Sequence, residues 1–182
     1  MPGITQIRLG GFGGQGIVLA GVLLGHAGVL EGKQVSVSNS YGVAARGSDC
    51  KSEIIFAQGP IDYPHLIAAD FFVAMSQGAY DSYIKDVRPG SGLVLLDSGF
   101  VKPREVPQVT QKAIPATNAA IARLKERQAA NIVLLGALVE ASGIVSAKAV
   151  QKAIRTQIDE RFRALNLKAF SLGMELGRQV HG

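Results

Sequence analysis

The sequence of 182 residues is poor in groups that bind metals or form cross-links, with a single cysteine, Cys50, and three histidines. One cysteine excludes an internal disulfide, and it excludes a four-cysteine zinc or iron–sulfur site within the chain. The three histidines do not have the spacing of metal ligands. We therefore expect the isolated chain to bind no metal or other prosthetic group.

Long apolar runs and a signal-peptide pattern at the N-terminus are also missing. The longest apolar stretches, such as residues 132–139, are far shorter than a membrane span. Together with the single cysteine, this predicts a cytoplasmic protein without a membrane segment.

The net charge of +5 comes entirely from the C-terminal third. Residues 1–117 carry nine basic and nine acidic side chains, whereas residues 118–182 carry ten and five. Such a region could face nucleic acid or an acidic partner, or it could be the solvated side of helices. Because no arginine-rich run accompanies it, we expect solvated helices and no nucleic-acid binding.

Short apolar strands alternate with helical periodicity along the chain. The predicted strands are residues 4–9, 34–38, 52–57, 71–75 and 93–96. The predicted helices are residues 15–30 and 79–85, a long one from Thr117 or Asn118 to Gly143, one capped by Ser146 that contains Val150, Ile154, Ile158 and Phe162, and residues 168–180. Residues 39–50 are predicted to form a loop, and the proline-rich segment 103–115 is predicted to be extended or looped.

This order of elements predicts an α/β fold. We expect one domain over residues 1–182 with a three-layer, Rossmann-like, mostly parallel sheet and a helix-rich C-terminal half.

The first predicted strand ends in a glycine-rich turn made of Gly11, Phe12, Gly13, Gly14, Gln15 and Gly16. Glycines allow a sharp turn and a close approach to a ligand, and the free N–H groups at a helix start favour an anion. Binding of NAD would also require an acidic residue at the end of the second strand. Because Ser38-Asn39-Ser40 stands there, the turn favours another phosphate-bearing ligand, a partner's backbone, or a tight turn without a ligand.

A second group of polar residues follows the second predicted strand and consists of Ser40, Tyr41, Arg46, Gly47 and Lys51. A loop at the carboxyl end of that strand would lie beside the glycine turn. Arg46 and Lys51 could then hold phosphate, and the arginine fork has the better geometry for it. An ordinary solvated or ion-paired Arg46 is equally consistent with the sequence.

Other polar residues are expected to be structural. His26 is predicted to be packed or solvated on the first helix, and Cys50 to be a small buried or loop residue. Asp97 ends a strand, but no base and nucleophile accompany it. Asn131 precedes an apolar run, so we expect it to make a specific hydrogen bond in the core.

Taken together, these motifs resemble the gamma subunit of 2-oxoacid:ferredoxin oxidoreductases. The resemblance rests on the glycine turn, on Ser40-Tyr41-Gly-Val-Ala-Ala-Arg46-Gly47 and on Lys51-Ser-Glu53, and it covers residues 4–145. Family members often have Pro-Glu-Ala before the Arg-Gly pair, where this sequence has Val43-Ala44-Ala45.

The resemblance implies a subunit that is inactive alone and assembles with alpha, beta and delta subunits. In that family the alpha and beta subunits handle thiamine diphosphate and the 2-oxoacid, and iron–sulfur clusters lie in beta or delta. The complex forms an acyl-CoA and passes two electrons to ferredoxin. In that family the gamma domain has been associated with the coenzyme A side of the site. A free-standing gamma chain of this length is most similar to the 2-oxoglutarate type, ahead of the pyruvate, branched-chain and indolepyruvate types.

For this chain, the resemblance implies no catalytic residue. The expected ligand-contacting residues are Gly11, Gly13, Gly14, Gln15, Gly16, Ser40, Tyr41, Arg46, Gly47 and Lys51. We also expect a homodimer when the chain is isolated, because a surface built to meet larger subunits is apolar. The alternatives are an independent Rossmann-type nucleotide-binding oxidoreductase and an oligomeric binding module.

Overall fold

The computed structural model describes residues 3–41 and 49–179, whose strands form one sheet in the order β2-β3-β1-β4-β5-β6. The strands are β1 (Ile4–Phe12), β2 (Gln34–Tyr41), β3 (Asp49–Ala57), β4 (Phe71–Ala74), β5 (Leu93–Asp97) and β6 (Thr110–Ile114). Strands β1, β4, β5 and β6 run parallel, whereas β3 runs antiparallel to its neighbours β1 and β2. The predicted α/β fold with a mostly parallel sheet is confirmed, and the antiparallel pair β2–β3 occupies one side of it.

Helices cover both faces of the sheet, which gives three layers. They are α1 (Ile17–Leu30), α2 (Gln77–Tyr83), α3 (Ala116–Ala119), α4 (Ala130–Ser142), α5 (Ala147–Gln157) and α6 (Glu160–Gln179). Helices α1, α4 and α5 share the larger apolar core with one face of the sheet, and α2 packs on the opposite face. Ten of the 13 residues of α4 are buried, because α6 covers its outer side. An all-round apolar sequence is what such a central helix requires.

The prediction of one long helix ending at Gly143 is wrong at its start. The chain forms the short helix α3, a wider helical turn over Ala120–Leu124 and a left-handed residue at Lys125 (φ 58°) before α4 begins. This break redirects the chain so that α4 enters the core, while Ile121 remains half exposed. Gly143 ends α4 with φ 59°, as predicted.

The predicted C-terminal helices also divide at a different point. Ser146 caps α5 as expected, by accepting a hydrogen bond from the N–H of Ala149. Ile158 then adopts an extended conformation, and α6 starts at Glu160, eight residues earlier than predicted. Phe162 therefore belongs to α6 and is half exposed.

Other elements and boundaries also differ from the sequence-based expectation. The predicted loop 39–50 is too long at both ends, because β2 continues to Tyr41 and β3 begins at Asp49. Helix α1 begins at Ile17, since Gly16 is left-handed with φ 74°. Strand β6 was not predicted, because the prolines at 107 and 115 that favoured a loop lie just outside it.

None of the helices in the described part of the chain is long and apolar enough to span a bilayer.

Candidate functional site

The glycine turn connects the end of β1 to the start of α1, and the side chain of Gln15 holds it in place. Gln15 Oε1 accepts a hydrogen bond from the N–H of Phe12 at 2.8 Å, and Nε2 donates to the carbonyl oxygen of Met75 at 2.8 Å. Met75 directly follows β4. Gln15 thus ties the turn to the carboxyl end of the neighbouring parallel strand.

Gly16 is held from the second half of the chain by Asn131. Asn131 Nδ2 donates to the carbonyl oxygen of Gly16 at 3.0 Å, and Oδ1 accepts from the N–H of Ile132 at 2.9 Å. The left-handed backbone of Gly16 leaves no room for a side chain, since a Cβ there would overlap the Asn131 amide. The hydrogen bond predicted for Asn131 is confirmed, and its partner is the glycine turn.

A cleft of about 310 Å³ opens above this turn. Its lining residues are Phe12, Gly13, Gly14, Gln15, Met75, Phe100, Thr117, Arg127, Gln128 and Ala130. From β1 the chain passes through α1 to one side of the sheet, and from β4 it passes through α2 to the other. The cleft therefore lies at the switch point of the sheet, outside the carboxyl ends of its strands, where α/β folds bind ligands.

The electrostatics of the cleft favour an anion. The guanidinium of Arg127 lies 5.2 Å from the centre of the Phe100 ring, and no acidic side chain among residues 3–41 and 49–179 forms an ion pair with it. The first turn of α1 contains no acidic residue, and no side chain caps it. Backbone N–H groups at such a helix start attract negative charge, as does the guanidinium.

The predicted site residues divide between the cleft and its surroundings. Gly13, Gly14 and Gln15 line the cleft, whereas Gly11 and Gly16 pack within the turn. Arg46 and Gly47 lie outside the described residues.

Ser40 and Tyr41 end β2 at the same end of the sheet as the glycine turn, but β3 intervenes. Cys50 pairs with Tyr41 on one side and with Gly11 on the other. Tyr41 is thus two strand spacings, about 10 Å, from β1. The inserted strand separates two motifs that the sequence analysis expected side by side.

Lys51 does not line the cleft, because an ion cluster on the α2 face of the sheet holds it. Its Nζ lies 2.8 Å from Glu53 Oε1 and 5.5 Å from the centre of the Tyr83 ring. Arg8, which is buried, donates from Nη2 to the same Glu53 oxygen at 2.8 Å and from Nη1 to Asp86. Burial raises the pKa of Glu53, but the hydrogen bonds and charges of Lys51 and Arg8 outweigh it, so its pKa lies below the ordinary value of 4.5.

Sequence reasoning missed Arg127, Phe100 and Thr117, which the fold brings to the cleft from the second half of the chain. Asp97, fully buried, accepts hydrogen bonds from the N–H and hydroxyl of Thr117, so it joins the end of β5 to α3 below the cleft. The signal that could have found Phe100 and Thr117 is their position just after strands of a parallel sheet. Arg127 has no comparable signal.

Comparisons with known proteins place these features in a family. The family model described as pyruvate ferredoxin/flavodoxin oxidoreductase matches residues 6–176. The 2-oxoglutarate synthase subunit KorC of Methanocaldococcus jannaschii is 43% identical over 178 residues, which are 96% of this chain and 95% of that protein.

Solved structures agree with this family assignment. The keto/oxoacid ferredoxin oxidoreductase gamma subunit of Geobacter sulfurreducens has a TM-score of 0.88 at 37% identity and covers 98% of both chains. The 2-oxoglutarate:ferredoxin oxidoreductase of Magnetococcus marinus, solved with 2-oxoglutarate, coenzyme A and succinyl-CoA bound, has a TM-score of 0.89 at 24% identity. That match covers 98% of this chain and 32% of the larger one, and it shows a shared fold. The predicted resemblance to gamma subunits is confirmed.

Proposed function

Because this chain belongs to the pyruvate ferredoxin/flavodoxin oxidoreductase family as a gamma-type member, we propose that it is the gamma subunit of a complex acting on 2-oxoglutarate. The complex converts 2-oxoglutarate and coenzyme A to succinyl-CoA and carbon dioxide, and two electrons pass to ferredoxin. The similarity to the M. jannaschii 2-oxoglutarate synthase subunit supports this substrate over pyruvate.

The described part of the chain offers no ligand set for the metal-containing cofactors of such a complex. Within the described ranges, no group of three or more His, Cys, Asp or Glu side chains could hold a metal ion. We therefore assign thiamine diphosphate and the iron–sulfur clusters to alpha, beta and delta subunits, and we assign the chain to assembly and to coenzyme A.

The cleft at the glycine turn is the part of the chain that would contact coenzyme A, whose phosphates are anionic. The observation that carries this assignment is Arg127, which lines the same cleft as Gly13 and Gly14 without an acidic partner among the described residues. Thr117 and Gln128 add polar groups to the same walls. A charge-assisted hydrogen bond to phosphate contributes about 1.5–3 kcal/mol.

The remaining candidate residues are assigned from their position at the end of β2. Ser40 and Tyr41 end β2 at the same end of the sheet, and the segment that contains Arg46 and Gly47 connects β2 to β3 there. We propose that Arg46 contributes a second phosphate contact. Lys51 is assigned to the ion cluster with Glu53 and not to the ligand.

Coenzyme A titrations of the reconstituted complex test the assignment. Arg127→Ala should raise the KM for coenzyme A by about ten- to a hundredfold, at about 1.4 kcal/mol per tenfold change. The KM for 2-oxoglutarate and the reduction of the clusters without coenzyme A should remain unchanged. Arg123→Ala is the matched control, since Arg123 is exposed on the same segment and pairs with Glu175 at 2.9 Å.

Arg46→Ala should act in the same direction, and Arg46→Lys should restore only part of the affinity, because a point charge replaces a fork. An intact complex whose coenzyme A dependence is unchanged in both alanine variants would rule out the ligand role. Equal losses in the Arg123 and Arg127 variants would indicate an assembly role instead. The oxoacid is tested separately, by comparing 2-oxoglutarate with pyruvate as substrate of the same complex.

The alternative of an independent nucleotide-binding oxidoreductase is not favoured. A carboxylate for the ribose hydroxyls is expected at the end of β2, and that strand ends in Asn39, Ser40 and Tyr41. Co-purification of thiamine- and cluster-containing subunits from native extract is the outcome that separates a complex subunit from a free-standing binding module.

A further inference from the structure

The two edges of the sheet differ in how they are protected from pairing with another chain. Natural edge strands are short or carry lysine, proline or a bulge. Strand β6 has these features: it is five residues long, contains Lys112, and lies between Pro107 and Pro115. Strand β2 has eight residues, with neither a charged side chain nor a proline.

Nothing in the described part of the chain pairs with the outer side of β2, since β3 is its neighbour on the other side. Eight residues of extended backbone therefore present a row of N–H and C=O groups at this edge. An edge of this length without protection is suited to strand addition.

The helix beside this edge is uncharged as well. Helix α1 contains no Lys, Arg, Asp or Glu over its 14 residues. Its Gly25 faces Val37 of β2, and Val22 and Val29 lie three residues before and four residues after Gly25, on the same side of the helix. Val22 is 39% exposed and Val29 is 57% exposed.

The end of β2 adds an aromatic side chain to the same surface. Tyr41 pairs with Cys50, a residue of the core under α1, so Tyr41 lies on the α1 side of the sheet, where it is 67% exposed. We call the surface of Val22, Val29, Val37 and Tyr41 together with the outer edge of β2 the uncharged edge. Depletion of charge and enrichment of tyrosine are typical of the centre of protein interfaces.

We propose that the uncharged edge is a homodimer interface, in which β2 pairs antiparallel with β2 of a second copy to form one continuous sheet. A two-fold axis through a residue of β2 brings like faces together, because residues of the same parity then stand opposite each other. The valines and Tyr41 of both copies lie on one face, and the serines lie on the other.

Charge and size both suit a second copy as the occupant. Like charges opposite each other would oppose self-pairing, and β2 has none. The strip formed by β2 and α1 is about 25 Å long and about 20 Å wide. A flat surface of this size covers on the order of 500 Å² per copy, and side chains that project from it add to this area. That approaches the roughly 800 Å² per partner of a standard interface.

Sedimentation equilibrium of the full chain tests the interface. The wild-type chain should be dimeric at about 50 µM, a concentration that detects even weak interfaces of this size. Ser38→Lys places two like charges near the axis, and it should yield a monomer. Val22→Glu should weaken the dimer through α1 alone. Thr110→Lys puts the same charge on the opposite edge strand, β6, and should leave the dimer intact.

Hydrogen exchange shows which contacts form. Amide protection of residues 34–41 should rise with protein concentration in the wild-type chain and should not do so in Ser38→Lys. Circular dichroism identifies any variant that fails to fold, and in that case Val22→Glu provides the measurement.

Two outcomes would overturn the proposal, and one of them has a special case that identifies a different partner. A monomeric wild-type chain at this concentration would do so, as would a dimer that survives both β2-side variants. A monomeric chain whose Ser38→Lys variant fails to co-purify with the larger subunits would instead assign this edge to another subunit.

Discussion

The side-chain amide of Asn131 donates to the carbonyl oxygen of Gly16 at 3.0 Å, across 115 residues of sequence. This bond joins the first turn of α4 to the glycine turn before α1. Both segments line the cleft: Gly14 of the glycine turn forms part of one wall, and Ala130 at the start of α4 forms part of another. The packing of the C-terminal half thus sets the geometry of the N-terminal motif.

Replacing Asn131 by alanine should lower the free energy of unfolding by about 0.5–1.5 kcal/mol, because the half-buried carbonyl of Gly16 loses its side-chain donor and keeps only the N–H of Ala20. Urea denaturation monitored by circular dichroism measures the change. Asn166→Ala is the matched control: its amide bonds only to the carbonyl oxygen of Phe162 within α6, so its loss should cost less. Equal effects of the two substitutions would contradict the role of Asn131.

Gly16 and Gly32 form a natural pair for separating backbone strain from steric overlap. Their φ angles are 74° and 77°, but a Cβ at Gly16 overlaps Asn131, whereas a Cβ at Gly32 meets nothing within 4 Å. Gly32→Ala should cost about 1–2 kcal/mol from left-handed strain alone. Gly16→Ala should cost a further 1–3 kcal/mol or so from overpacking.

The double variant Gly16→Ala with Asn131→Ala checks the cause of the difference. The two free-energy changes should sum to more than the measured effect of the pair, since the second substitution removes the overlap. Additive losses in denaturant melts would show that the clash does not control the cost.

Glu53 should make the stability of the protein depend on acidic pH. Its pKa is lowered below 4.5 in the folded chain, so the unfolded chain takes up the proton first as pH falls. Its contribution is therefore complete above about pH 4.5 and is lost as pH falls through the folded pKa. Glu53→Gln should flatten the decline of unfolding free energy in this window, as measured by urea melts over a pH series.

At neutral pH the same substitution should destabilise the fold by about 3 kcal/mol, because it leaves the buried guanidinium of Arg8 with one fewer carboxylate. Glu175→Gln is the control, since Glu175 pairs with Arg123 on the surface, where such pairs contribute little. Parallel pH profiles of Glu53→Gln and the wild type would refute the assignment.

Cys50 should react with thiol reagents only after the structure opens. Burial raises the pKa of its thiol above 9.0, and the residue is 5% exposed between β1 and β2. Modification at about pH 8 should be roughly tenfold or more slower than in denaturant, because the thiolate is the reactive form. Ser82→Cys supplies an exposed thiol on α2 for comparison, and equally rapid labelling of both thiols would contradict this placement of Cys50.

Local signals in the sequence predicted those features that depend on neighbouring residues. The glycine turn after β1, the cap at Ser146 and the helix end at Gly143 each follow from the conformational preferences of a few adjacent residues. Strand β6 and the break at Lys125 were missed, because prolines flank β6 and apolar residues continue past Lys125. Local propensity contains no information about strand pairing or about a left-handed residue that interrupts a helix.

By itself, the sequence determined the α/β class, the glycine turn and the structural role of Asn131. Only the tertiary structure decided which residues meet at the cleft. Strand β3 entered between β1 and β2 and moved Tyr41 away from the turn, while the break at Lys125 brought Arg127 to it. Both outcomes depend on burying complementary surfaces that are distant along the chain, and no local periodicity encodes that pairing.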